Sequence, residues 1–206
     1  PLLAGTAIFI ALLVDSVTDP LMGTLSDRTK SKLGRRHPFM LLSFIPVSIF
    51  YILLFTPKIE WGLSQTQLFL WMLVCTTFTR VGMTLFEVPH RSFGAEIIKN
   101  YEERTLLFSW RELITWIAAI SNAFMGYFIF FRSTPEYPYG QLNPEVWFPF
   151  ALAGGIFMAA GILYSSLTTT KYIKDLSQWS GSTSLKDIFK EISIAITNKS
   201  FLIFFA

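Results

Sequence analysis

Five apolar stretches, each close to the roughly twenty residues an α-helix needs to cross a bilayer, constrain this chain more than any other feature. Short segments rich in charge, proline or glycine separate them. The predicted spans run over about 2–25, 39–56, 67–91, 105–131 and 147–169, and a further span begins near Lys199. Hydrophobic residues make up 52% of the 206 and charged residues 15%, too few charges to cover so apolar a chain in water. The expected fold class is therefore all-α, a polytopic transmembrane helical bundle. Pro1 lies directly in an apolar stretch and the chain stops just after Phe201, so it is expected to be an internal piece of a longer protein.

Charge placement orients the spans. The segment from Ser26 to Pro38 holds five Lys/Arg in thirteen residues, whereas the next loop has only Lys58 and the fourth only Arg132. By the positive-inside rule, loops 26–38, 92–104 and 170–198 are expected to face the cytoplasm, in a multi-pass protein of the plasma membrane. Trp61, Trp147, Tyr137 and Tyr139 then fall at the outer interface, where amphipathic aromatic rings are favoured. Segment 170–198 reads as a central loop. Leu185, Ile188, Phe189, Ile192 and Ile196 form an apolar stripe, so its second half is expected to be an amphipathic helix on the membrane face. His37 and His90 are expected to be ordinary interfacial residues, and the lone Cys75 a small apolar one.

An ionised side chain inside a bilayer persists where it pairs, binds an ion or lines water. The first span carries two, Asp15 and Asp19, spaced i and i+4, so both carboxylates occupy one helix face a turn apart. Two acids held together repel and recruit a proton or a cation. A hard ion such as Na⁺ prefers oxygen ligands, and Thr18 and Ser16 add neutral ones. The alternative is a salt bridge to a basic residue on a neighbouring span.

The third span places Arg80, Thr84, Glu87 and Arg91 on one stripe, the pattern of a polar cavity wall. Arg80 is open between a substrate contact and a structural partner for Asp15 or Asp19. The fourth span places Arg111, Thr115 and Asn122 on one face, and an arginine fork suits carboxylates or vicinal hydroxyls. Small-residue runs at Ala118-Ala119, Ala123 and Gly126, and at Ala153-Gly154-Gly155 and Ala159-Ala160-Gly161, are expected to permit close helix packing.

The segment from Asp15 to Arg36 resembles the glycoside–pentoside–hexuronide:cation symporters, a branch of the major facilitator superfamily. Asp15-x-x-x-Asp19-Pro20 resembles the branch's cation motif. Gly23, Asp27, Arg28, Gly34, Arg35 and Arg36 resemble the superfamily's signature loop, and Glu87-Val88-Pro89 and Arg111 resemble its fourth and fifth helices. The resemblance implies that the five spans are helices two to six, with the start of helix seven at residues 199–206. Residues 1–169 then form most of the N-terminal six-helix half. It implies a cation site at Asp15, Asp19, Thr18 and Thr84, substrate contacts at Glu87 and Arg111, and a cytoplasmic gate at the signature loop.

The function expected is cation-coupled symport (Na⁺ or H⁺) of a sugar or glycoside by alternating access, in a protein acting as a monomer. The same fold carrying a lipid or other amphiphile is one alternative, and a non-transporting membrane sensor or scaffold is another. No enzyme, cofactor beyond the coupling ion, or nucleic-acid partner is expected, since no nucleophile–base pair or metal cluster is visible in the sequence.

Overall fold

The computed structural model describes residues 2–175, and these are helical apart from short connections. The helices are α1 (Leu2–Arg28), α2 (His37–Leu42), α3 (Phe44–Leu54), α4 (Gln65–Ile97), α5 (Tyr101–Met125) and α6 (Trp147–Thr168). Among the described residues, five segments are long and apolar enough to cross a membrane: Leu2–Arg28, His37–Leu54, Gln65–Ile97, Tyr101–Phe130 and Pro144–Ile173. Helices α2 and α3 together make the second of these. Pro46 explains the break between them, because it has no N–H for the Leu42 carbonyl, and Ser43 bridges the gap with its N–H on the Phe39 carbonyl at 3.0 Å.

Helix lengths correct the loop boundaries expected from hydropathy. Of loop 92–104, only Ile98–Asn100 lies outside a helix, since α4 continues to Ile97 and α5 starts at Tyr101. A membrane helix does not stop where its apolar window ends. Its ends are set by where the backbone is satisfied, and α5 starts at the cap Asn100, whose side chain accepts from the Glu102 N–H at 3.1 Å. Loop 26–38 is likewise shortened, with 26–28 in α1 and 37–38 in α2. A 3₁₀ segment over Thr169–Asp175 follows α6. The amphipathic helix expected within 170–198 and the span expected from residue 199 lie outside the described residues.

Helix α4 is the hub. It packs against α1 on one side and α2–α3 on the other, and α6 packs on the outer side of α2–α3. Close approach explains two glycines. A Cβ on Gly82 of α4 would lie 2.9 Å from the Val47 backbone nitrogen, and one on Gly155 of α6 would lie 2.7 Å from Ile52 Cγ1. Of the small residues expected to aid packing in α6, Gly155 does so, whereas Gly161 has nothing within 4 Å of where a Cβ would sit. In α5, Ala118, Ala119 and Ala123 are exposed and only Gly126 is buried. Helix α5 ends in a π-turn at Gly126–Phe130. At that end Trp147 stacks on Phe55, with ring centres 5.5 Å apart, and packs on Phe131.

The histidines are not simple interfacial residues. His37 is fully buried, edge-on to Phe93 and hydrogen-bonded through Nε2 to Thr169 Oγ1 at 3.1 Å. His90 pairs with Ser165 Oγ at 3.2 Å and stacks on Phe86. Both therefore tie the last turn of α6 to the bundle, which amphipathicity alone does not predict.

Candidate functional site

The buried residues of α1, Ala7, Ala11, Met22 and Ser26, fall at helical spacing on one stripe. Asp15 and Asp19 continue that stripe, and α1 lays it against α4. The first two positions are small and let the helices approach. At Asp15 and Asp19 the helices enclose a cleft of about 180 Å³, lined by Asp15, Asp19, Arg80, Met83, Thr84, Glu87, Val88 and Arg91. Four of these, Arg80, Thr84, Glu87 and Arg91, are the α4 stripe read from the sequence.

The two acids meet different partners. Asp15 is mostly buried, with its side chain 17% exposed, and its Oδ2 accepts from Arg80 Nε at 2.5 Å. Its Oδ1 is buried with no hydrogen-bond partner. Asp19 is exposed to the cleft, and its Oδ1 accepts from the Thr84 hydroxyl at 2.7 Å. Thr84 itself is buried, so this hydrogen bond fixes its hydroxyl toward the acid. One turn further along α4, Glu87 Oε2 accepts from Arg91 Nη2 at 3.1 Å, and its Oε1 lies 4.0 Å from Arg111 Nη2 of α5. The structure thus joins Asp15, Asp19, Thr84, Glu87, Arg80 and Arg91 in one cleft and brings Arg111 to its edge. Arg80 pairs with Asp15, as the structural alternative expects, and also lines the cleft. Thr18 does not line the cleft, and its hydroxyl turns back to the Asp15 carbonyl at 3.4 Å.

The donor set is oxygen only: the Asp15 Oδ1, the Asp19 carboxylate and the Thr84 hydroxyl. Oxygen donors suit a proton or a hard cation and do not suit a soft metal. Among the described residues no group of three His, Cys, Asp or Glu could hold a metal ion. Three acids (Asp15, Asp19, Glu87) face three arginines (Arg80, Arg91, Arg111), so the cleft is electrically balanced as it stands.

The signature loop makes a second polar cluster, at the C-terminal end of α1. Arg36 is 5% exposed and donates to Asp27 Oδ1 at 2.8 Å, and its Nη1 also lies 2.7 Å from Glu96 Oε2. Arg35 Nη2 spans both Glu96 oxygens at 2.7 and 2.6 Å. Gly34 turns the chain with φ +75°, a conformation that favours glycine, and lies against Ile173. Glu96 was missed by the sequence reading. Its only signal is an acid near the end of a span facing the same side as the arginines. Helix α5 stands off from α6, leaving a mostly apolar cleft of about 650 Å³ with His90, Arg91 and Arg111 in its wall.

The family described as MFS/sugar transport protein matches the chain over residues 1–206. An uncharacterised symporter of Synechocystis is 31% identical over 68% of this chain and 26% of its own length. A putative glycoside/cation symporter of Escherichia coli is 34% identical over 59% of the chain and 25% of its own. A sodium-dependent lysophosphatidylcholine symporter of Danio rerio is 29% identical over 66% and 25%. The chain thus spans about a quarter of the length of these relatives. With five helical segments long and apolar enough to cross a membrane among the described residues, and a match along its whole length, the chain belongs to the MFS/sugar transport protein family.

Proposed function

We propose that the full-length protein is a secondary transporter of the plasma membrane that couples movement of a cation to uptake of a sugar or glycoside. One observation carries this reading. Asp19 and Thr84, which this reading takes as ion ligands, and Glu87, which it takes as the solute contact, line one cleft, with Thr84 and Glu87 a single turn apart on α4. An ion placed at Asp19 therefore changes the charge felt at Glu87. By linkage, whatever the ion does to solute affinity the solute does to ion affinity. Arg111, held near Glu87, presents donors to sugar hydroxyls. The loop holding Arg35 and Arg36 faces the cytoplasm, and its ion pairs latch the inward gate while the two halves of the protein rock around the site.

The test is uptake of radiolabelled sugars and glycosides by proteoliposomes of the full-length protein under imposed Na⁺ and H⁺ gradients. Gradient-driven accumulation that Asp19→Asn abolishes is the expected result. Accumulation unchanged by that substitution sinks the reading. A second cargo class, an amphiphile, is favoured by the apolar cleft beside Arg111 and by the name of the Danio rerio relative. Accumulation of labelled lysolipid in place of sugar identifies it. A sensor or scaffold accumulates neither.

A further inference from the structure

We propose that Arg80 sets the ion selectivity of this cleft by occupying the place of a metal cation at Asp15, so that the protein turns sodium away. The inference rests on reading the paired acids as the ion site and narrows which ion they accept.

Two carboxylates one turn apart carry two negative charges, and a sodium ion between them would be held by both. Here Asp15 is already paired. Arg80 Nε sits 2.5 Å from its Oδ2, and an arginine cannot shed its proton to make way. A metal ion entering between the acids meets a fixed positive charge where it needs a ligand. The remaining charges offer no compensation. Glu87 is shared by Arg91 and Arg111, so among the described acids of the cleft only Asp19 lacks an arginine within ion-pair reach. One carboxylate and the Thr84 hydroxyl are a thin oxygen shell for a metal. Asp15 Oδ1, buried without a hydrogen-bond partner, shows what the arginine holds back. It is an oxygen already desolvated that a metal would ligate if the guanidinium were gone.

The experiment measures the melting temperature of the purified full-length protein in detergent, titrated with NaCl against choline chloride at matched ionic strength. The wild type and Arg80→Lys are expected to melt alike in both salts. Arg80→Gln is expected to gain a saturable, sodium-specific rise of several degrees. Adding Asp19→Asn to Arg80→Gln is expected to remove it. Sodium-specific stabilisation of the wild type overturns the proposal, and that reading needs no variant to fold. A folded Arg80→Gln with no sodium response also overturns it. If Arg80→Gln does not fold, Arg80→Met, which keeps the apolar stem, is read the same way. Absence of gradient-driven uptake defeats the transport reading instead, and leaves this binding measurement standing.

Discussion

Asp15 and Asp19 are chemically identical and four residues apart, yet α4 offers them different partners. Asp15 receives a full positive charge from Arg80, and Asp19 receives one hydroxyl proton from Thr84. Their substitutions therefore separate. Asp15→Asn leaves Arg80 without its anion and is expected to lower stability by about 1 kcal/mol, a modest figure because the arginine is partly exposed. Asp19→Asn is expected to leave the melting temperature unchanged while abolishing ion-driven uptake. Thermal unfolding of both variants in one detergent checks the contrast. Thr84→Val removes an oxygen proposed to ligate the ion, and a contact worth about 1.5 kcal/mol corresponds to a roughly tenfold rise in the half-saturating concentration of the coupling ion. Uptake measured against ion concentration tests this. At this scale the sequence was informative about faces and silent about offsets. Helical spacing places Asp15 with Asp19, and Arg80 with Thr84 and Glu87. It does not say how far α1 slides along α4, so it left open which acid Arg80 takes. The same uncertainty hid the pairs His37–Thr169 and Arg35–Glu96, which join residues 132 and 61 positions apart.

Between helices, packing depends on positions where a side chain would intrude on a neighbouring backbone. Gly82 is one, with the Val47 nitrogen 2.9 Å from where a Cβ would sit. Gly161 of α6 is its opposite, with nothing within 4 Å. Gly82→Ala is expected to cost about 1–3 kcal/mol through forced displacement of α3 from α4. Gly161→Ala is expected to be neutral or slightly stabilising, since alanine is the better helix former. Melting temperatures of the two variants decide the matter. The five spans were legible because apolar length is a local property, read directly from composition. Their ends were less so, because α4 carries six residues beyond Arg91 and α5 begins four before Thr105. Polar helical turns that project past an apolar window look like loop until the caps are seen. The broad exposure of α5 was not legible either, since its apolar residues read the same whether they meet lipid or protein.

Across the whole molecule, the arginine–acid cluster fastens the signature loop to α4. Arg35, Arg36 and Glu96 are all largely buried, at 14%, 7% and 18% side-chain exposure, so removing the shared anion takes away the carboxylate that Arg35 spans and leaves Arg36 paired with Asp27. Glu96→Gln is expected to destabilise the protein by about 3 kcal/mol, whereas Glu102→Gln, at an exposed position of α5, is expected to be silent. Parallel denaturation of the two tests whether the cluster is a fastening or a decoration.

Two prolines acquire a meaning from the arrangement of that whole. Pro20 follows Asp19 directly in α1, and Pro89 follows Glu87 by two residues in α4. Each leaves one backbone carbonyl, that of Ser16 and that of Leu85, without its usual rung. Both helices that wall the cleft are thus a rung short at the level of its acids, which puts a soft seam through the pair at one height. When a charge arrives or leaves there, each wall can bend at that seam without losing a further backbone rung.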